Sequence, residues 1–235
     1  MRRPLLLASA LLHLCAAPCL LGESATVRIQ IEILENGRTA KSASNAVVWL
    51  EPLGDSPPTP APQTVIPRLT QKNKQFHPPL VVVPVGGKVE FPNEDPFFHN
   101  VFSLFDGKRF DLGLYESGTT RFVRFDKPGI SYIFCNIHAQ MSAVVLTLDT
   151  PYFGVSDAKG GIVLAAVPTG RYRLRVFHAS VTPEDLEQLS REIAVSPGTN
   201  NLGAMQLHSS NVLANHKNKY GRDYDQPVED YPRPY

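Results

Sequence analysis

Between residues 26 and 34 the chain alternates, with Val27, Ile29, Ile31 and Ile33 apolar and Arg28, Gln30 and Glu32 polar between them. A period of two is that of a β-strand with one buried face, so this stretch predicts a strand. Asn36-Gly37 follows as a turn signal, and residues 46–50, with the only tryptophan, Trp49, predict a second strand. The segment from Pro52 to Pro62 is crowded with proline and reads as a linker. Beyond it, short apolar runs at 80–83, 88–91, 98–103, 121–125, 131–134 and 143–148 predict a series of strands. Further strands are expected near 162–166, 172–177, 191–195 and 202–207. Only residues 183–190 look helical: Thr182 can cap the start, Pro183 suits the first position, and Glu184 and Asp185 make an acidic first turn. Asp185 stands where a capping box needs Glu or Gln, so the full box is absent. From Ser209 onward the chain is polar, with Tyr220, Tyr224, Tyr231 and Tyr235 but no periodic apolar face, and predicts a mostly irregular tail.

Composition agrees with an all-β reading. Of 235 residues, 43% are hydrophobic and 19% charged, enough to bury a core. The 21 prolines and 16 glycines suit many short strands and turns better than long helices. Ten of the twelve phenylalanines lie between Phe76 and Phe134, which points to one dense β core there. With 23 basic and 22 acidic residues the net charge is +1, which gives no electrostatic ground for a nucleic-acid partner.

The opening of the chain reads as an address. Arg2 and Arg3 form a basic start, residues 5–21 are an apolar run too short for a convincing membrane span, and small residues follow at 22–25. Residues 1–24 are therefore expected to be a secretory signal peptide, cleaved after Gly22, Ser24 or Ala25, with a retained anchor as the alternative. Cleavage leaves an exported, periplasmic or otherwise extracytoplasmic protein with no integral membrane span. It also removes Cys15 and Cys19, so Cys135 remains as the lone thiol. A lone cysteine in an oxidising compartment is buried and inert, paired with another chain, or bound to metal.

Cys135 opens the run Cys135-Asn136-Ile137-His138-Ala139-Gln140-Met141, a C-x2-H-x2-M spacing between two apolar strands. A tight inter-strand loop can bring its thiolate, imidazole and thioether together. A second imidazole is available from His99, at the start of another predicted strand and just after Asn93-Glu94-Asp95. Two histidines and a thiolate with a weak axial methionine describe a blue-copper electron-transfer site. Each residue has a blander role open to it: a small buried hydrophobe for Cys135, core filler for Met141, a satisfied core histidine for His99. Their conjunction in an exported β domain favours a metal site of His99, Cys135, His138 and Met141. His77 reads as a loop residue and His178 as structural, while His208 and His216 have no partners at ligand spacing.

Residues 64–149 resemble a cupredoxin. The resemblance rests on Gln75-Phe76-His77-Pro78, residues 82–86 (VVPVG), residues 89–95 (VEFPNED), residues 98–103 (FHNVFS) and the loop 135–141, which is of the amicyanin type. The wider pattern is similar to exported plastocyanin-like and methylamine-utilisation-like cupredoxin proteins. The resemblance implies one type 1 copper per chain on His99, Cys135, His138 and Met141, within a Greek-key sandwich. Ala139 departs from it, since many such loops place proline after the second histidine.

Residues 150–160 (TPYFGVSDAKG) and 167–176 (VPTGRYRLRV) resemble a carboxypeptidase-regulatory-like, transthyretin-like β-sandwich, whose opening strands are similar to residues 45–52 (NAVVWLEP). Two strands at 26–51 cannot bury their apolar faces alone. Residues 25–57 and 151–208 are therefore expected to form one discontinuous sandwich, with a copper domain at 64–150 inserted between its strands and a tail at 209–235. The alternative is that strands 26–51 pack only on the copper domain. Residues 216–224 also resemble tails of such proteins.

Enzyme motifs are missing: there is no G-x-S-x-G, P-loop, G-x-G-x-x-G or H-E-x-x-H. The expected function is single-electron transfer by a non-enzymatic copper protein that docks transiently with redox partners. The alternative is a copper carrier or buffer of the cell envelope without redox turnover.

Overall fold

A computed structural model describes residues 24–54, 62–104, 107–210 and 216–224. The expected signal peptide thus lies outside the described residues except for Ser24, as does most of the proline-rich linker. The fold is all-β. Three strands come first: β1 (Ser24–Glu35), β2 (Arg38–Thr39) and β3 (Val47–Pro52). The central stretch holds β4 (Thr70–Lys72), β5 (Gln75–His77), β6 (Leu80–Pro84), β7 (Gly87–Pro92), β8 (His99–Ser103), β9 (Phe110–Tyr115), β10 (Thr120–Phe125), β11 (Gly129–Phe134) and β12 (Ser142–Leu148). Then follow β13 (Phe153–Val155), β14 (Gly161–Pro168), β15 (Gly170–Phe177), the helix α1 (Pro183–Gln188), β16 (Arg191–Val195) and β17 (Gly198–His208). As the sequence implies, the Thr182 hydroxyl caps α1 by accepting from the Asp185 N–H at 3.1 Å. The helix stops two residues short of the expected 190.

Strands from the two ends of the chain share two sheets. In one, β1 lies between β14 and β17, antiparallel to the first and parallel to the second. In the other the order is β13-β3-β15-β16, with Leu50 of β3 opposite Leu174 of β15. The alternation of β1 has its physical outlet here: Val27, Ile29, Ile31 and Ile33 are all buried. Gly160 turns the chain into β14 at φ 86°, where an added Cβ would collide with the Ile31 carbonyl. Only glycine fits that position.

The central stretch forms the sheet β6-β12-β11-β8-β9, the pair β10-β7 and the small hairpin β4-β5. β12 is buried along almost its whole length because both its faces are covered. Ala143 and Val145 point into one core with Val89, Phe91, Val101, Phe125 and Ile133. Val144, Leu146 and Leu148 point into the other, with Phe102, Phe134, Ile31, Leu174 and Phe177. A strand covered on both faces reads as a continuous apolar run rather than an alternation, which is how residues 143–148 read in the sequence. The short strands β2, β4, β5, β9 and β13 were not expected from the sequence. They are paired through their neighbours' backbones.

Candidate metal centre

β11 and β12 form a hairpin whose last pair is Phe134 opposite Ser142. The loop beyond it, residues 135–141, is closed by two backbone bonds, Cys135 N–H to the Met141 carbonyl at 3.3 Å and Met141 N–H to the His138 carbonyl at 3.0 Å. The strand period then sets the facing. Cys135, Ile133, Met141 and Ala143 share the core under β7 and β10, while Phe134 belongs to the opposite core.

His99 opens β8 and is 0% exposed, as is Cys135. Its Nδ1 lies 3.7 Å from the Cys135 Sγ, and the His138 Nδ1 lies at 3.7 Å from the same sulfur. These three donor atoms all lie within 4.8 Å of one another. The two imidazoles meet edge to face, with centroids 4.9 Å apart. Phe97 packs against both rings, at 5.1 Å from His99 and 5.8 Å from His138. His138 is half-buried, and its neighbour Ile137 is 48% exposed. The structure thus brings His99, Cys135 and His138 together at one point. It places Met141 fully buried in the same core as Cys135.

The surroundings favour a thiolate at Cys135 and a neutral ring at His138. Burial pushes the Cys135 thiol up, but bonds from His99 and from the backbone N–H groups of Asn100, Ile137 and His138 outweigh it and lower its pKa. Burial pulls His99 down, yet its bonds with Cys135 and Asp95 raise it on balance. His138 is lowered, by burial first and then by the charges of His99 and Lys74, so its ring is neutral at neutral pH. The groups aimed at the sulfur are backbone amides. The side chains of Asn100 and Asn136 are engaged elsewhere: Asn100 donates to Asp111 at 2.7 Å, and Asn136 accepts from the Lys219 N–H at 3.0 Å.

Two sets of residues around the site were missed in the sequence. Asp95 Oδ2 lies 2.7 Å from His99 Nε2. Its carboxylate also accepts from the N–H groups of Asn73 and Lys74, at 2.6 and 2.9 Å. Those two residues have φ of 55° and 56° in the β4–β5 turn, a conformation that aims successive N–H groups at one anion. The Asn93-x-Asp95 pattern was the available signal. The second set is the tail. Residues 216–224 are irregular, as expected, but close into a turn on Asn218 and lie against the ligand loop. No sequence pattern announces that contact.

No protein-family model matches the chain, and no curated protein is similar to it in sequence. Among solved structures it is similar to a copper-containing nitrite reductase from Thermus scotoductus SA-01, at 22% identity and a TM-score of 0.35 over 42% of this chain. The match spans 25% of that enzyme's length. A purple cupredoxin from Nitrosopumilus maritimus matches at 20% identity and a TM-score of 0.32, over 35% of this chain and 99% of that one. A reduced amicyanin variant matches at 16% identity and 0.34, over 43% and 98%.

Proposed function

We propose that the chain is an exported type 1 copper protein that carries single electrons between redox partners. The observation that carries this reading is the buried triangle of His99 Nδ1, Cys135 Sγ and His138 Nδ1. One soft thiolate with two imidazoles suits copper in both oxidation states, which thiolate-only or carboxylate sites do not. Bound there, copper supplies a one-electron Cu(I)/Cu(II) couple. The protein residues do the rest. Cys135 would supply the thiolate, His99, held by Asp95, and His138 the two imidazoles, and Met141 a weak thioether donor. A folded site with both histidines already in place needs little rearrangement when charge changes. Of the two imidazoles His138 is the one that reaches toward solvent, so it is the electron port, beside the exposed Ile137. Partners are redox proteins that dock transiently on that end through small interfaces.

The basic-then-apolar opening of the sequence supports export. Among the described residues no helix is long and apolar enough to cross a membrane. The pairing of β1 with β14 and of β3 with β15 supports reading residues 25–57 and 151–208 as one sandwich carrying residues 64–150 as an insertion. The test of function is a visible spectrum of the copper-loaded protein. An intense thiolate charge-transfer band that bleaches on reduction and returns on oxidation is the expected result. Stable copper binding without a reversible band would support the carrier or buffer instead.

A further inference from the structure

Three consecutive residues at the head of the ligand loop are gripped by three residues of the tail. His216 stacks on the Phe134 ring, with centroids 4.0 Å apart and planes inclined by 16°. The Tyr224 hydroxyl donates to the Cys135 carbonyl at 2.8 Å. The Lys219 N–H donates to the Asn136 side chain at 3.0 Å. A fourth contact reaches the strand beside that of His99: Lys219 Nζ pairs with Asp111 of β9 at 2.7 Å, and Asp111 accepts from Asn100, the neighbour of His99.

The tail is built to hold this shape. The Asn218 side chain accepts from the N–H groups of Tyr220 and Arg222, and Asn218 N–H donates to the Arg222 carbonyl, closing a compact turn with Gly221 at φ 73°. Lys217 and Asp223 pair across the turn. His216 and Tyr224 meet edge to face at 5.2 Å, so the two anchoring rings brace each other. A tail without a task on the loop would not need three attachments at Cys135 and its two neighbours and a fourth on Asp111.

We propose that residues 216–224 are a clamp on the ligand loop, with Tyr224 the positioning residue for the Cys135 donor. The inference rests on the copper reading for its consequence, though the clamp itself is a contact between parts of the protein. The hydroxyl fixes the Cys135 peptide and points the positive end of its O–H dipole at the Cys135 carbonyl. That orientation favours the state carrying the extra electron. The three grips together keep residues 134–136 from opening, so the sulfur stays covered.

The test uses the full chain with two variants, Tyr224→Phe, and His216→Ala combined with Tyr224→Ala, with far-UV circular dichroism to confirm the fold. In the metal-free protein, alkylation of Cys135 by N-ethylmaleimide is expected to quicken about two- to tenfold in Tyr224→Phe, the factor one ordinary hydrogen bond commands, and further in the double variant. In the copper-loaded protein, Tyr224→Phe is expected to shift the redox equilibrium toward Cu(II) by a factor of the same order. Unchanged alkylation in both variants overturns the clamp. Faster alkylation with an unchanged potential overturns the positioning role of Tyr224. If the unmodified protein binds no copper, the copper reading fails on its own, and alkylation still decides the clamp. If the double variant does not fold, Tyr224→Phe, which loses only a hydroxyl, carries the decision.

Discussion

Asp95 and His99 face one another across 2.7 Å, carboxylate oxygen Oδ2 to ring nitrogen Nε2. The contact decides which nitrogen looks at the sulfur: with Nε2 engaged, Nδ1 stands 3.7 Å from the Cys135 Sγ. The ring cannot turn without breaking its bond to a carboxylate that the Asn73 and Lys74 amides already hold. A carboxylate behind a ligating imidazole fixes its orientation and raises its basicity.

Replacing Asp95 by alanine is therefore expected to weaken copper binding by about 10- to 100-fold while leaving Cys135 and His138 in place. Competition against a chelator of known affinity measures this. An unchanged affinity would show that His99 is held by its packing alone.

Cys135→Ser is expected to abolish the charge-transfer band and leave the far-UV spectrum as it was. Serine is smaller than cysteine and the site is fully buried, so a modest loss of thermal stability accompanies it. A visible band that survives this substitution would remove the thiolate from the site.

Met141→Leu is expected to keep copper and colour but raise the reduction potential. A thioether donates electron density and stabilises Cu(II), and leucine does not. The volumes are close, so packing changes by less than about 1.5 kcal/mol. For a one-electron couple a tenfold change is about 59 mV, well within reach of a mediated titration. A potential equal to that of the unmodified protein would make Met141 core filler.

The tail contact has a predictable pH range. Burial opposes ionisation of Asp111, but Lys219, the Gly113 amide and Asn100 outweigh it and depress its pKa below the ordinary carboxylate value. Lys219 is raised, chiefly by its bond to Asp111. A depressed acid stabilises the folded form above its unfolded pKa and loses that contribution as pH falls through the folded value. A raised base loses its contribution only as pH rises through its own folded value. The pair therefore holds across the neutral range and releases only below about pH 4. The Asp111 carboxyl carbon signal followed by NMR should stay constant from about pH 5 to 9. A release centred above pH 5 would show that another group governs the attachment.

The parts of the site that lie close together in sequence were the legible ones. Cys135, His138 and Met141 sit on one seven-residue loop, and the apolar strands on either side announce a hairpin. His99 stood out as an imidazole opening another apolar run. Asp95 formed part of a visible pattern, but its role depends on a turn at Asn73-Lys74 in a different hairpin. The tail is further removed still: Lys219 reaches Asn136 across 83 positions and Tyr224 reaches Cys135 across 89. Such contacts follow from how the whole chain closes. In the fold, β1 was readable from its own alternation because one face is buried. β9 buries only Tyr115 fully and is interrupted by Asp111 and Gly113, and β13 is three residues long, so neither leaves a clear pattern.

The wall shared by two cores also limits how the chain can change in length. Along the end of β11 and the residue after it, Ile133 and Cys135 look toward the metal residues and the even-numbered Tyr132 and Phe134 look away. Inserting or deleting one residue upstream within that strand reverses the assignment, because the side-chain period is two. The thiol would then enter the apolar space filled by the Phe134 ring, and a phenyl group would take the place of the sulfur. Substitutions in β11 can be graded by size and polarity, but its length admits changes only in steps of two.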